Sequence, residues 1–196
     1  MKLSFLRRPM LALSLGLAAT LAACGGKAEF PVQGTISGLV YPGLVLQNNS
    51  ANDLSIPASA TSFSFPGSIE YATPYSVTIK TPPQHQNCAI GNNIDTAGRQ
   101  ASIAVQIECS LNVVTLGGYV AGLTADGLVL INGSNDQVEV AKGAGTYVFG
   151  RTLPFGTSYG VTILKQPAGL SCYLQNSTGL AGDANIINVN LTCAPV

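Results

Sequence analysis

The chain has little charge, no tryptophan and a single histidine. Charged residues make up 9% of its 196 positions, against about 25% in average soluble domains. This composition argues against a coiled coil, which places charged residues beside its apolar seam, and against a disordered chain, which combines low hydrophobicity with high net charge. Hydrophobic residues make up 46%, so the chain has the material for a packed core. Its length allows one or two domains.

An excess of basic residues is also missing. Nine basic residues balance nine acidic ones, and three of the basic ones, Lys2, Arg7 and Arg8, lie at the extreme N-terminus. The rest of the chain has six basic and nine acidic residues, a net charge of −3. Nucleic-acid-binding domains carry a basic surface for the phosphate backbone, so we expect no nucleic-acid partner.

The N-terminus has the features of a targeting segment. The three basic residues precede the apolar run 10–21, which is shorter than the about 20 residues that span a membrane. The run leads into Leu-Ala-Ala-Cys-Gly at positions 21–25, which resembles the lipobox of bacterial lipoproteins. The alternative is an ordinary signal peptide that happens to contain a cysteine.

The lipobox resemblance implies a membrane anchor. It implies a signal peptide over 1–23, cleavage before Cys24, a diacylglyceryl group and palmitate on Cys24, and a short linker over 24–30. In lipoprotein sorting, a glycine such as Gly25 beside the lipidated cysteine favours the outer membrane of a Gram-negative cell. We therefore expect a lipid-anchored outer-membrane protein, on either the surface or the periplasmic face.

Two copies of one sequence fill the rest of the chain. Residues 32–109 align with 116–193 without a gap, and 24 of the 78 aligned residues are identical. Such a duplication indicates two tandem domains of the same fold, which we place at 31–110 (repeat 1) and 111–196 (repeat 2). Recurring residues keep the same order in both copies, among them Gly34 and Gly118, Gly38 and Gly122, Asn48 and Asn132, and Tyr75 and Tyr159.

The residue pattern within each copy is all-β. Apolar residues alternate with polar ones in five segments of repeat 1: 32–39, 54–56, 62–65, 75–80 and 103–109. This alternation is typical of strands with one buried face, and Pro66-Gly67 and Ala97-Gly98 are predicted turns between them. Six or seven short strands per copy predict an immunoglobulin-like β-sandwich. The motifs also resemble tandem repeats of unknown function in secreted and surface proteins of Gram-negative bacteria, which implies an architecture and no activity.

Four cysteines remain after Cys24, two in each copy. Cys88 and Cys109 recur as Cys172 and Cys193, with the same spacing. Even, repeated spacing in an exported chain indicates disulfides. Zinc is the weaker interpretation, because no Cys-x-x-Cys occurs and the chain has one histidine. Four cysteines allow three pairings, and the duplication favours Cys88–Cys109 and Cys172–Cys193, because each copy had to fold alone.

No catalytic constellation is recognisable. His85 is the single candidate for a general base, and its counterpart in repeat 2 is Gly169, so we interpret it as a surface-loop residue. The acidic residues are scattered and form no Asp-x-Asp-x-Asp calcium loop. We therefore expect no enzymatic activity, no catalytic residue, no metal and no cofactor, with a loose calcium site between the copies as an alternative. The acids considered are Asp53, Asp126, Asp136, Glu139 and Asp183.

Three tyrosines mark places where the two copies differ. Tyr41 aligns with Ala125 and Tyr173 with Ala89, whereas Tyr71 aligns with another aromatic residue, Phe155. Where one copy has a tyrosine and the other does not, the shared fold does not require an aromatic ring. We therefore expect the surface around such a tyrosine to be specific to the copy that carries it.

Together these features predict a non-catalytic membrane-anchored surface lipoprotein that acts as a spacer or interaction module. The alternative is a periplasm-facing accessory subunit that docks on an envelope complex or matrix polymer. The expected partners are the membrane, through Cys24, and an envelope protein or polysaccharide. The connection over 110–113 is too short for a flexible tether, so we expect two sandwiches end to end with limited hinge freedom.

Overall fold

The computed structural model describes residues 27–196, and Cys24 with its lipobox lies outside the described residues. All regular secondary structure in this part of the chain is β-strand. Residues 27–196 contain no helix that is long and apolar enough to cross a membrane.

Repeat 1 folds from eight strands. They are β1 (Glu29–Ser37), β2 (Val45–Asn48), β3 (Ala51–Ser55), β4 (Ser62–Glu70), β5 (Pro74–Thr81), β6 (Gln86–Gly91), β7 (Ile94–Thr96) and β8 (Val105–Leu111). One sheet has the strand order β4-β1-β8-β6 and the other β3-β2-β5-β7. Strand β1 pairs antiparallel with β4 and parallel with β8, so the first and last strands of the repeat lie side by side.

Repeat 2 has the same two sheets, but the counterparts of β1 and β4 are each divided into two short strands. They are β9 (Val113–Val114), β10 (Gly117–Ala121), β11 (Leu128–Asn132), β12 (Asp136–Val140), β13 (Thr146–Val148), β14 (Leu153–Pro154), β15 (Ser158–Lys165), β16 (Leu170–Leu174), β17 (Thr178–Leu180) and β18 (Leu191–Pro195). The sheet orders are β13-β10-β18-β16 and β12-β11-β15-β17, with β14 and β9 as a separate pair. Strands β9 and β10 align with β1, and β13 and β14 align with β4, so the long β1–β4 pair is interrupted in repeat 2.

Each repeat is an immunoglobulin-like β-sandwich with its own core. In β1 the side chains of Val32 and Ile36 are buried, and the intervening Gln33 and Thr35 are exposed. This alternation sends every second side chain between the two sheets. The buried hydrophobic residues form two clusters, one from each repeat, and each large aliphatic side chain in them contributes about 1.5–3 kcal/mol through burial.

Two recurring glycines let the first and last strands of each repeat approach closely. A Cβ atom on Gly34 of β1 would collide with the backbone oxygen of Val105, and one on Gly118 of β10 with the backbone oxygen of Val189. Because these obstacles are backbone atoms, they cannot move aside as a side chain can. This steric requirement accounts for glycine at the same position in both copies.

Both disulfides join neighbouring strands within one repeat. Cys88 of β6 bonds to Cys109 of β8, and Cys172 of β16 bonds to Cys193 of β18. The members of each pair lie directly opposite each other in the sheet register. This pairing agrees with the connectivity that the duplication favours. Each bond spans a sequence separation of 21.

The prediction of a turn at Pro66-Gly67 is wrong. These residues lie inside β4, where the pairing with β1 shifts register between Pro31 and Gln33. Gly67 has a φ of 80°, the left-handed conformation used by one type of β-bulge. A Pro-Gly pair suits a turn and a bulge alike, so the sequence does not separate them. The strand number was also underestimated, because β7, β9, β14 and β17 are only two or three residues long.

Candidate functional site: the junction between the repeats

A single residue, Asn112, connects the last strand of repeat 1 to the first strand of repeat 2. Its backbone N–H donates to the carbonyl oxygen of His85 at 2.9 Å, and its carbonyl oxygen accepts from the N–H of Phe155 at 2.8 Å. Its side-chain Nδ2 donates to Oδ1 of Asp183 at 3.0 Å. The connection is therefore shorter than the predicted 110–113, and hydrogen bonds hold it to both repeats.

An aromatic stack crosses this junction. The imidazole of His85, in the loop before β6, lies almost parallel to the ring of Phe155 from repeat 2, with centroids 3.8 Å apart and planes 9° apart. Tyr41, from the loop between β1 and β2, packs edge-on against the two rings at centroid distances of 5.1 and 5.5 Å. Aromatic pairs in such arrangements contribute about 0.5–1.5 kcal/mol each beyond their burial. The rings thus bind repeat 1 to repeat 2.

A polar contact lies beside the stack. Nδ1 of His85 is 2.6 Å from Oδ2 of Asp183, which belongs to the loop after β17. Hydrogen bonds from Asn112 and then from His85 hold the pKa of the Asp183 carboxyl below its usual value of 3.8. Its side chain is 46% exposed, so solvent screens the charge and the contact mainly fixes geometry. We call Tyr41, His85, Asn112, Phe155 and Asp183 the junction cluster.

His85 adopts a backbone conformation that favours glycine. Its φ is 58°, and its counterpart Gly169 has a φ of 73°. A left-handed conformation costs a residue with a Cβ about 1–2 kcal/mol. Repeat 1 therefore carries a strained histidine at the point where its ring meets repeat 2, and repeat 2 has an unstrained glycine at the aligned position.

His85 lies in a loop, as predicted, and its side chain is 31% exposed, but its ring also stacks on repeat 2, a contact that the sequence analysis did not predict. Tyr41, singled out as an unshared aromatic, also belongs to the junction cluster. Sequence reasoning did not assign a role to Phe155 or Asp183. The sequence did contain a signal for Asp183, because this residue aligns with Arg99, which has the opposite charge. The contacts between the repeats are made by residues that differ between the two copies.

The acidic residues stay apart in the fold. Asp53 lies in β3, Asp126 in the loop before β11, and Asp136 and Glu139 in β12. Asp136 is buried, and its Oδ2 has no hydrogen-bond partner within the described residues. Of the five acids considered, Asp183 alone belongs to the junction cluster, so the alternative calcium site between the copies has one carboxylate from this set.

The chemistry available to the junction cluster is limited. A His–Asp pair can orient a general base, but nucleophilic catalysis also needs a hydroxyl or thiol within reach of the histidine. Within residues 27–196, His85 makes its side-chain hydrogen bond to Asp183, and Phe155 covers one face of its ring. Over the same range, no three His, Cys, Asp or Glu side chains lie close enough together to hold a metal ion. The arrangement is suited to fixing one repeat against the other.

No protein-family description and no curated protein sequence matches this chain. Solved structures do match it. The TIE protein of Bacillus anthracis has a TM-score of 0.53 and 13% identity over 86% of this chain and 34% of its own. The pilus adhesin SpaC of Lactobacillus rhamnosus GG has a TM-score of 0.31 and 11% identity over 78% of this chain and 28% of its own. The chain thus spans about a third of the length of these proteins, and at such identity the likeness to the TIE protein concerns the fold alone: all-β, with immunoglobulin-like sandwiches.

Proposed function

We propose that the chain is a non-catalytic, lipid-anchored module of the bacterial cell envelope that acts as a spacer or interaction module. The observation that carries this proposal is the junction cluster, which fixes one sandwich against the other. A spacer must transmit position from one end to the other, and it loses this ability when its domains reorient freely.

The junction supports a fixed orientation for two physical reasons. Domains joined within one chain usually move relative to each other unless their interface is large, and flexible linkers need several residues of free backbone. Here the connection is Asn112 alone, with its backbone N–H and carbonyl both hydrogen-bonded. The stack of His85 on Phe155 then adds a contact away from the connection. Two separate points of attachment resist both bending and twisting.

The proposed anchor also suits a spacer. Cys24 lies five positions before Glu29, the first residue of β1, and five extended residues span at most about 18 Å. Repeat 1 would therefore stay near the membrane and repeat 2 would be presented farther from it. Acyl chains contribute about 0.8 kcal/mol per buried CH₂, and two chains give stable attachment where one is marginal.

Detergent partitioning tests the anchor. The full chain should enter the detergent phase of a membrane extract, and the Cys24→Ala variant should remain uncleaved or soluble. The matched control is Cys88→Ala combined with Cys109→Ala, which removes cysteines without touching the lipobox and should still partition into detergent. Equal aqueous partitioning of the wild type and Cys24→Ala would overturn the lipid anchor.

Protease treatment of intact cells separates the surface module from its alternative, a periplasm-facing accessory subunit that docks on an envelope complex or matrix polymer. A surface module should be cut in intact cells, and cutting should depend on protease rather than on cell lysis. A periplasmic soluble protein serves as the control for envelope integrity. Protection in intact cells, with cutting after permeabilisation, would contradict the surface location and favour the periplasmic subunit.

A further inference from the structure

Repeat 2 carries a buried carboxylate that repeat 1 lacks. Asp136, the first residue of β12, is 8% exposed, and its Oδ2 has no hydrogen-bond partner within residues 27–196. The aligned residue of repeat 1 is Asn52, which is exposed. A buried carboxylate without a donor costs stability, because it has lost water and gained no hydrogen bond in exchange. Such an unsatisfied group in a folded protein calls for a physical explanation.

The register of the hairpin β11–β12 turns this carboxylate inward. In repeat 2 the pairing runs without a shift as far as Asn132 opposite Asp136. Asp136 therefore lies on the same face of β12 as the core residue Val140, four positions later. In repeat 1 the pairing shifts at the aligned Asn48, and Asn52 is left without a partner in the ladder. The inward position of the acid is thus specific to repeat 2.

A pocket opens beside Asp136. It has a volume of about 550 Å³ and is lined by the end of the hairpin, by the loop between β13 and β14, and by the start of β15. Small-molecule sites have volumes of about 300–1,000 Å³. Asp136 and Leu153 are the buried part of this lining. The terminal torsion of an aspartate side chain is broad, so a rotation of the carboxylate brings an oxygen within reach of a ligand in the pocket.

The frame of the pocket is common to both repeats, whereas much of its lining is not. Oδ1 of Asn132 accepts a hydrogen bond from the N–H of Gly160 at 3.0 Å, and Oδ1 of Asn48 accepts one from the N–H of Ser76 at 3.3 Å. These bonds hold the hairpin against the next strand in each copy. Four lining residues differ in side-chain chemistry from their counterparts: Asn135, Asp136, Arg151 and Ser158 align with Ala51, Asn52, Gly67 and Pro74.

The charges of the lining restrict the ligand. Arg151 is exposed at the pocket and forms no ion pair with Asp136 within the described residues. A metal ion or an amine in the pocket would be repelled by the guanidinium, and an anion would be repelled by the carboxylate. A hydroxyl group carries no charge and both donates and accepts hydrogen bonds. Neutral ligands with hydroxyl groups therefore suit both charged side chains.

The rest of the rim favours a ligand with several hydroxyl groups. Asn135, Thr157 and Ser158 are exposed, uncharged side chains that donate and accept hydrogen bonds. A zwitterionic amino acid matches the two charges but has no further polar group for this rim. A sugar has hydroxyl groups in several fixed directions, so it can use the charged and the uncharged groups together.

We propose that this pocket of repeat 2 binds a neutral saccharide. One hydroxyl group donates to the carboxylate of Asp136, and another accepts from the guanidinium of Arg151. The site rests on the proposed function and deepens it, because it gives the interaction module a class of ligand. A single open pocket binds weakly, and attachment strengthens when many anchored copies meet a polymer of repeating sugars.

An NMR titration tests the proposal. The full chain, labelled with ¹⁵N and purified in a detergent without a sugar headgroup, receives maltose, lactose or di-N-acetylchitobiose at millimolar concentrations. At least one of these disaccharides should shift the amide signals of Gly133 and Gly160, which line the pocket. Calcium chloride and glycine are the probes for a cation and a zwitterion. Shifts of these amides with calcium or glycine alone, or with none of the probes, would overturn the proposal.

Substitutions then test which groups hold the sugar. Asp136→Asn gives the position its repeat 1 identity and should weaken binding about tenfold, because a hydrogen bond to a charged acceptor is lost. Arg151→Gly does the same for the exposed cation and should weaken binding by less. Glu139→Gln is the matched control, since it removes an exposed carboxylate from the same strand outside the pocket, and it should leave binding unchanged. Binding that persists undiminished in Asp136→Asn would contradict the site.

Thermal unfolding separates binding from a structural role. Asp136→Asn should unfold no earlier than the wild type, because no hydrogen bond within the protein is lost. A lower unfolding temperature would show that the carboxylate has a partner in the protein, and it would also overturn the proposal. None of these measurements depends on Cys24. Loss of the site therefore leaves the lipid anchor standing, and failure of detergent partitioning leaves the site standing.

Discussion

Repeat 1 contributes Tyr41 and His85 to the junction, and the aligned residues of repeat 2 are Ala125 and Gly169, which have no ring to stack. The positions that hold each sandwich together are shared instead, as the paired cysteines and the glycines at the first strands show. Shared positions therefore serve folding, which each copy must complete alone. At the junction, by contrast, residues that differ between the copies make contacts that only one copy makes.

The largest expected effect comes from removing each disulfide in turn. Cys172→Ala with Cys193→Ala should lower the free energy of unfolding of repeat 2 by about 3 kcal/mol, because the bond restricts the unfolded chain. Cys88→Ala with Cys109→Ala should cost repeat 1 somewhat less, since its cysteines are only partly buried and those of repeat 2 are 5% and 7% exposed. Urea unfolding followed by hydrogen exchange in each repeat measures both values. A greater loss in repeat 1 would contradict this order.

Alanine at the shared glycines should destabilise the two repeats by similar amounts. Gly34→Ala and Gly118→Ala each place a Cβ against a backbone oxygen, and such overpacking costs about 1–3 kcal/mol. Gly145→Ala is the control, because an added Cβ there meets no atom within 4 Å. Thermal unfolding compares the three variants. If one of the two shared glycines tolerates alanine as well as Gly145 does, the first and last strands of the repeats are not packed alike.

The His85→Gly variant should separate the effect on the stability of repeat 1 from the effect on its attachment to repeat 2. It gives repeat 1 the residue of repeat 2 and relieves the left-handed strain at a φ of 58°. The free energy of unfolding of repeat 1 should therefore change by less than about 1 kcal/mol. The repeats should nevertheless reorient more freely, because the stack on Phe155 is lost. NMR relaxation of the two repeats measures whether they tumble as one body.

The reverse substitution is the control for His85→Gly. Gly169→His introduces the strain without a facing Phe155, so it should destabilise repeat 2 and leave the junction unchanged. Unaltered common tumbling in His85→Gly would mean that Asn112 alone fixes the orientation.

Acid should act on the junction through Asp183, with the smallest effect. Its pKa in the folded chain is lowered by hydrogen bonds from Asn112 and His85. A lowered carboxyl pKa gives stabilisation that is present above the unfolded value and is lost as the pH falls through the folded value. The repeats should therefore loosen below the usual aspartate pKa of 3.8. Asp183→Asn should loosen them at neutral pH and remove this acid dependence, as judged by NMR relaxation across the pH range.

Much of the sandwich was predictable because its signals are local and occur twice. Apolar residues that alternate with polar ones, such as Val32 and Ile36 in β1, indicate that one face of the strand is buried. This inference does not require knowing which element covers that face. The disulfides within each repeat were predictable from the duplication. Both copies have two cysteines at the same spacing, and a copy that folds alone pairs its own two cysteines. The Pro66-Gly67 bulge was missed because its residues suit a turn equally well.

The candidate site was much less predictable. His85 and Asp183 are 98 positions apart, and each belongs to a loop whose composition is ordinary. A single sequence gives no direct signal for such a pair, because neither residue alone requires the other. Comparison of the two copies identified Tyr41 and His85 as positions that differ and would have added Asp183, which aligns with Arg99. It does not show that the three residues meet.

The sequence by itself determined that the chain forms two disulfide-bonded β-sandwiches. The alternation of apolar and polar residues in the strands, the glycines where strands approach closely and the spacing of the cysteines are all present within each copy, so they can be recognised without knowing how the copies are arranged. The tertiary structure alone decided that the His85 ring stacks on Phe155 between the repeats. It also decided that Ile187 faces solvent while the identical Ile103 is buried. Contacts of this kind depend on how distant segments are placed in space. The identity of a single residue does not indicate which distant residues lie beside it.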